Sequence, residues 1–124
     1  LLCDISLRNA DCNFILKKYQ KALVDYSVVI DNNFPGADYA LFQKAIIQGL
    51  QKNNDAKIFS LQKIINNFPN SVYIDDALFE TGNTLLNEDQ TQQAEKFFNQ
   101  IITDYKILVR KTFHHAIKLL IVTS

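Results

Sequence analysis

The sequence predicts an all-α fold: a right-handed α-solenoid of about three helix hairpins followed by a C-terminal capping helix. Apolar residues recur at spacings of three and four along successive segments, a pattern typical of amphipathic helices. One helix–turn–helix plan recurs along the chain, and the tetrapeptide Asn-Asn-Phe-Pro stands at both 32–35 and 66–69. The chain has only 3 Gly and 2 Pro, too few for an all-β fold with many tight turns.

The first predicted unit spans about residues 1–35. An imperfect apolar stripe predicts a helix over residues 1–16, and the pair Lys17-Lys18 marks the break after it. A clearer stripe runs from Tyr19 to Phe34. Pro35 ends this second helix, because proline disfavours the helical conformation of the residue before it.

The second predicted unit spans residues 36–69 and repeats the plan. Its first helix opens near Asp38, which we expect to act as the N-cap. Residues 52–55 form a polar turn, and the second helix then runs to the repeated tetrapeptide.

The third predicted unit spans residues 70–105. Ser71 is the expected N-cap of its first helix, and Asp75 and Asp76 follow where carboxylates suit the positive end of the helix dipole. Residues 87–89 interrupt the pattern, and the second helix is predicted to end at Tyr105.

Residues 106–124 are predicted to form one more helix, so that residues 1–124 make a single domain. An apolar stripe and several basic residues mark this segment: Val109, Phe113, Ile117, Leu120 and Ile121, with Lys106, Arg110, Lys111 and Lys118. Either this helix caps the array, or it is the first helix of a partial fourth unit, since terminal repeats are often atypical.

Small residues twelve positions apart link the two helices of each unit. Ala10 and Ala22 have this separation, and so do Gly82 and Ala94. In the second unit the residue twelve after Ala45 is Lys57, with Ala56 beside it, which leaves the register there open by one residue. Pro35 and Pro69 are 34 residues apart, which is the period of a tetratricopeptide repeat. Across about residues 1–105 the chain therefore resembles a protein of that family.

The Asn-Phe-Pro endings and the long connection from Pro69 to Ala77 resemble a bacterial variant of this family. That variant occurs in envelope proteins such as the periplasmic repeat protein of the Tol-Pal system and a lipoprotein of the outer-membrane β-barrel assembly machinery. The resemblance implies a bacterial protein and favours a periplasmic or envelope location over the cytoplasm.

Charge and hydropathy argue against two classes of partner. Lys and Arg together number 13, as do Asp and Glu, so the net charge is zero and no global field attracts nucleic acid. The longest apolar stretches are far shorter than the roughly 18 residues that a transmembrane helix needs.

The residues that could carry chemistry do not form a known catalytic or metal-binding motif. His114 and His115 are adjacent on a predicted helix and diverge by about 100°, so they are poorly placed to hold one metal ion. Cys3 and Cys12 fall on one predicted helix about 13 Å apart, too far for a disulfide. We therefore expect no catalytic residue, no metal and no cofactor, and hence a protein that is not an enzyme.

The resemblance implies that the first helix of each unit lines a concave groove, where ligands of this family usually bind. The predicted partner-binding residues are Leu7, Asp11 and Phe14 in the first unit, Tyr39, Phe42 and Ile46 in the second, and Asp76, Phe79, Asn83 and Leu86 in the third. These positions suit an extended or helical apolar peptide. Some relatives clamp a chaperone's C-terminal carboxylate with Lys, Arg and Asn residues in this groove, but the positions of that clamp are apolar or acidic here, so this ligand class is not expected. The alternative is that the aromatic side chains belong to the packing between helices.

The leading hypothesis is a non-catalytic scaffold that binds a protein or peptide partner on this concave surface. The second is a fragment of a longer array that self-associates, or packs, through its C-terminal helix, giving a monomer or a weak homo-oligomer. The third, a helical accessory domain of an enzyme, has the least support from the sequence.

Overall fold

The computed structural model describes residues 2–123, and side chains are described for residues 4–121. Six helices follow one another: α1 (Leu2–Ile15), α2 (Tyr19–Asp31), α3 (Ala37–Leu50), α4 (Asn54–Asn67), α5 (Ile74–Asn87) and α6 (Thr91–Thr123). Residues 2–123 contain no β-strand. Each helix packs mainly against the helices before and after it in the chain, which confirms the predicted all-α solenoid.

Each hairpin closes with the same backbone turn. Lys17, Lys52 and Asp89 follow α1, α3 and α5 with φ of 59°, 59° and 61°, in the left-handed region. In each turn the next N–H donates to the carbonyl five residues earlier, as from Asn53 to Gln48. This closure satisfies carbonyl groups that the helix end would otherwise leave without a partner.

The small residues predicted at the contact between paired helices lie in the interior. Ala10, Ala22, Ala45 and Ala94 are buried. The fourth residue of α4 is Lys57, at the place that Ala22 holds in α2, so the structure resolves the open register in favour of Lys57. Gly49 makes room for this long side chain, because a Cβ on Gly49 would lie 3.1 Å from Lys57 Cδ.

The two copies of Asn-Asn-Phe-Pro end their helices differently. After α2, Asn33 takes a left-handed conformation with φ of 49°, and the chain enters α3 at Ala37. Helix α4 continues to Asn67, and a non-helical connection through Tyr73 leads to α5. A connection longer than the one after Pro35 is therefore present, but it ends at Tyr73 and not at Ala77, because residues 74–77 already belong to α5.

The two predicted N-caps have different roles from those expected. Helix α3 begins one residue before Asp38, after Gly36 with φ of 89°, so Asp38 lies inside the helix. Helix α5 begins at Ile74, three residues after Ser71. Instead Ser71 Oγ donates a hydrogen bond to Asp38 Oδ2 at 2.6 Å, which ties the connection to the start of α3.

Two core clusters run through the array. The first contains the buried residues Ala10, Ala22, Tyr26, Val29, Ala40 and Ile47, and the second contains Leu41, Ala45, Leu61, Ile64 and Ala77. Ile30 packs against both clusters, so the hydrophobic core is continuous from α1 to α5.

The predicted helix boundary at Tyr105 is wrong. Helix α6 runs for 33 residues without interruption, and the predicted separate last helix is its continuation. The reason is local: Lys106 stands where Pro69 follows Phe68, and neither Pro nor Gly occurs after Thr91. The first half of α6 packs against α5, with Ala94 buried, whereas every residue from Tyr105 to Ile121 is exposed.

Candidate protein-binding surface

The ten predicted partner-binding residues lie on α1, α3 and α5, the first helix of each hairpin. They fall into two groups by exposure. The half-buried group contains Leu7, Asp11, Phe14, Tyr39, Phe42, Ile46 and Asn83. The exposed group contains Asp76, Phe79 and Leu86. The groups also differ in place, because all the exposed members are on α5.

Asp11 is the acceptor at the centre of a hydrogen-bond network between the first two hairpins. The hydroxyl groups of Tyr26 and Tyr39 both donate to Asp11 Oδ1, the second at 3.0 Å. Gln43 Nε2 in turn donates to the Tyr39 hydroxyl oxygen at 3.2 Å. The Asp11 carboxylate therefore joins α1, α2 and α3.

Burial and the Asp11 carboxylate change the acidity of both tyrosines. Removal from water, the hydrogen bond to Asp11 and the negative charge of Asp11 raise the pKa of Tyr39 to about 12. The same causes, with burial again the largest, raise the pKa of Tyr26 above its usual value. Both hydroxyls therefore stay protonated at neutral pH, and they stabilise the packing of the helices.

Tyr73, in the connection between α4 and α5, covers the two aromatic residues predicted on α3. Its ring stacks on Phe42 with centroids 5.6 Å apart and planes at 26°, and it lies 5.9 Å from the ring of Tyr39. The packing alternative therefore describes the surroundings of these two side chains. Sequence reasoning missed Tyr73, although an aromatic residue in a long connection could have suggested it.

The three exposed residues and the half-buried Asn83 form one stripe on α5. Asp76, Phe79, Asn83 and Leu86 follow at spacings of three, four and three, so they lie on one side of the helix. Phe79 is 53% exposed and Leu86 is 44% exposed. One edge of the Phe79 ring is supported by Phe98 of α6, with centroids 6.0 Å apart. We call these four residues the α5 stripe.

The surroundings of the α5 stripe are acidic. Residues 70–105 contain seven Asp and Glu residues but one basic residue, Lys96. One of the seven, Glu80, is neutralised by Lys57 at 2.8 Å, and Asp75 and Asp76 are exposed at the start of α5. This surface disfavours ligands that present a carboxylate.

The other residues weighed for chemistry are two histidines and two cysteines. His114 and His115 are exposed on α6, and no group of three or more metal-binding side chains occurs within residues 4–121. Cys12 is a free, exposed cysteine, and the side chain of Cys3 lies outside the described residues. Among residues 2–123, no helix has the length and apolar character needed to cross a membrane.

The repeated Asn-Phe-Pro endings come together at one surface cleft, which the sequence did not predict. The cleft has a volume of about 510 Å³ and is lined by residues 33–38 and 67–71. Its lining includes the Ser71–Asp38 hydrogen bond, so the repeated endings are part of the contact between hairpins.

The comparison with curated proteins found no match. A family model described as a tetratricopeptide repeat matches residues 39–71 and 76–106. These two segments fall on the second and third hairpins, and together they cover just over half of the chain. The open array of hairpins, the buried small residues and this match lead to one conclusion: the chain belongs to the tetratricopeptide repeat family.

Proposed function

We propose that this protein is a non-catalytic scaffold that binds a protein partner through the α5 stripe. Tetratricopeptide repeats generally mediate protein–protein interactions, and members of the family are typically scaffolds without catalytic activity. Most of the half-buried predicted residues on α1 and α3 pack against the two core clusters instead: Leu7, Phe14, Tyr39 and Phe42.

The exposure of Phe79 and Leu86 on one side of α5 is the observation that carries the proposal. Two large apolar side chains remain exposed on the same side of α5, two helical turns apart with Asn83 between them, and exposed apolar surface favours association. Phe79 is also held in place by Phe98, so a partner would meet an aromatic anchor of restricted mobility.

The charge of the site defines the chemistry of the partner. Asp76 lies at one end of the α5 stripe, and residues 70–105 carry a large acidic excess. We therefore infer an amphipathic segment whose apolar side chains contact Phe79 and Leu86 and whose Lys or Arg side chains approach Asp75 and Asp76.

The test uses peptides selected from a random phage-displayed library against residues 1–124, with affinities measured by fluorescence polarisation. Phe79→Ala is expected to weaken the selected peptides about tenfold, because it removes the aromatic anchor. Phe59→Ala is the matched control, because Phe59 of α4 is equally exposed at 60% but lies outside the α5 stripe.

Circular dichroism of both variants first establishes that the helices remain folded. Unchanged affinity in Phe79→Ala, or an equal loss in Phe59→Ala, would contradict the proposal. Enrichment of acidic peptides in place of basic ones would contradict the inferred partner chemistry.

We further propose that the protein acts in a bacterial envelope. The non-helical connection after Pro69, three residues longer than the one after Pro35, supports the likeness to the envelope-type variant. Fractionation of cells that express a tagged copy from the native gene tests this, and recovery only with cytoplasmic markers would refute it.

A further inference from the structure

A second apolar surface runs along α6 and continues into residues 106–121. Ile102, Tyr105, Val109, Phe113 and Ile117 are all exposed, with Tyr105 at 67% and Phe113 at 65%. Their spacings of three and four place them within one side of the helix. We call these five residues the α6 seam.

The α6 seam begins at a position that is a helix contact elsewhere in the chain. Ile30, Ile65 and Ile102 each lie eleven residues after the first residue of α2, α4 and α6. Ile30 and Ile65 are half-buried in the core, where the next hairpin begins. Ile102 holds the same place but is 50% exposed. The α6 seam therefore continues an interface that the chain already uses twice.

Charge indicates what covers the α6 seam. Residues 106–124 contain three Lys and one Arg but neither Asp nor Glu, whereas residues 70–105 carry a net charge of −6. Two such basic segments repel each other, but each is attracted to the acidic third hairpin. The matching surface for the end of α6 is thus present on this same chain.

The end of α6 does not reach the third hairpin of its own chain. The helix is continuous through Tyr105, so residues 106–121 extend away from the first half of α6 and have no turn with which to fold back onto it. A second copy supplies both surfaces at once. The acidic third hairpin ends at Tyr105 and the basic segment begins at Lys106, so an antiparallel pair of α6 helices that crosses near residue 107 places each basic half beside the other copy's third hairpin.

We propose that two copies of this chain form a two-fold dimer through their antiparallel α6 helices, with the α6 seam at the contact. The paired helices, each about 50 Å long, present apolar side chains to one another along the seam. Each copy presents the same surface to the other, so the interface closes on two copies and does not propagate into a filament.

Sedimentation velocity of the folded chain over residues 1–124, from about 1 to 200 μM, tests the dimer. Wild-type chains are expected to sediment as a dimer, and the dimer is expected to weaken with added salt, which screens the opposite charges. Phe113→Asp places a carboxylate in the α6 seam and is expected to give a monomer.

His114→Asp is the matched control, because it adds the same charge one residue along the helix, about 100° around the helix axis from Phe113. It is expected to remain a dimer. A wild-type monomer throughout the range, a Phe113→Asp dimer, or equal dissociation of both variants would overturn the proposal.

Disulfide cross-linking tests the antiparallel register in chains that also carry Cys3→Ser and Cys12→Ser. Pairing about residue 107 puts position 105 opposite position 109, so a mixture of Tyr105→Cys and Val109→Cys chains is expected to cross-link. Ile117→Cys chains are expected not to cross-link to each other, because the register separates these positions by about 30 Å. Efficient Ile117→Cys cross-linking would instead show basic halves paired with each other, which contradicts the proposal.

Binding to anionic phosphatidylglycerol vesicles tests whether the α6 seam contacts a lipid surface instead of a second copy. A basic amphipathic helix can also bind such a surface. A chain that is monomeric in solution and binds the vesicles through Phe113 would replace the dimer by a lipid contact, and would overturn the proposal.

Discussion

Phe42 and Phe79 hold the same place in α3 and α5, five residues after the first residue of each helix, yet their surroundings differ. Phe42 is half-buried beneath the stacked ring of Tyr73. Phe79 is supported along one edge by Phe98 and is otherwise open to solvent. One repeat position thus gives a packing residue in one hairpin and a candidate contact residue in the next.

The segment that follows each hairpin causes this difference. After α4 the chain leaves the helix and returns Tyr73 to the surface of α3. After the corresponding point in α6 the chain continues as a helix, which carries the next residues away from α5. Exposure in a repeat array is therefore decided by the connection to the next unit as much as by the repeat itself.

The largest expected effect comes from Tyr73→Ala, which removes the ring stacked on Phe42. The substitution removes a half-buried ring that packs on Tyr39 and Phe42, so we expect unfolding free energy to fall by about 2–3 kcal/mol. It also leaves Phe42 exposed in the manner of Phe79. Urea unfolding measures the first effect, and binding of a hydrophobic fluorescent dye measures the second.

Val72→Ala provides the control for Tyr73→Ala. Val72 is the preceding residue in the same connection and is 84% exposed, so its truncation is expected to change stability by less than about 0.5 kcal/mol. Equal effects at both positions would show that the connection matters only as a backbone spacer, and that Tyr73 does not protect Phe42.

A pair of glycine substitutions sharpens the comparison between the second and third hairpins. A Cβ on Gly82 would lie 2.8 Å from Phe98 Cε1, so Gly82→Ala forces the packed ring to move and is expected to cost about 1–2 kcal/mol. At Gly49 the neighbour is the flexible Lys57 stem, at 3.1 Å. There the better helix propensity of alanine is expected to dominate and to stabilise the protein by about 0.5–1 kcal/mol.

Thermal or urea unfolding of the two glycine variants gives the sign of each change directly. Loss of stability in Gly82→Ala alone would show that close approach of α5 and α6 depends on the missing Cβ. A loss of stability in both variants would mean that the Lys57 side chain, which lies 2.8 Å from Glu80, is as rigid an obstacle as the Phe98 ring.

Local patterns predicted most of the fold, because helix periodicity and the spacing of small residues are properties of short segments. The pairs Ala10–Ala22 and Gly82–Ala94 are enough to predict two of the hairpins from the sequence. The wrong helix boundary at Tyr105 has a different origin. Tyr105 holds the place in α6 that Phe68 holds after α4, but Pro69 follows Phe68 whereas Lys106, which follows Tyr105, does not end a helix.

The candidate site was only partly accessible to the same reasoning. Positions on the first helices could be assigned from the repeat, but exposure depends on contacts between residues far apart in the chain. Nothing near Phe42 in the sequence indicates Tyr73, 31 residues later, and nothing near Asp11 indicates the hydroxyl of Tyr39. The structure therefore separates the α5 stripe from equivalent residues that the pattern alone treats alike.

The last expected effect concerns the hydrogen-bond network that further distinguishes α3 from α5. Tyr39→Phe keeps the ring against Tyr73 but removes the hydroxyl that donates to Asp11, which is expected to cost about 1 kcal/mol at pH 8.

The cost of Tyr39→Phe is expected to depend on pH, because the pKa of Tyr39 is raised from 10.0 to about 12 in the folded protein. Above pH 10 the unfolded chain releases this proton while the folded chain keeps it, so the stabilisation by the hydroxyl is lost as pH rises through 12. Urea unfolding at pH 8, 10 and 11.5 should therefore show the wild type and Tyr39→Phe converging in stability, with Tyr105→Phe, which changes an exposed hydroxyl, following the wild type throughout. A difference between wild type and Tyr39→Phe that stays constant with pH would mean that the Asp11 carboxylate and burial do not hold the proton on Tyr39, and that the contact between α1 and α3 depends on the ring alone.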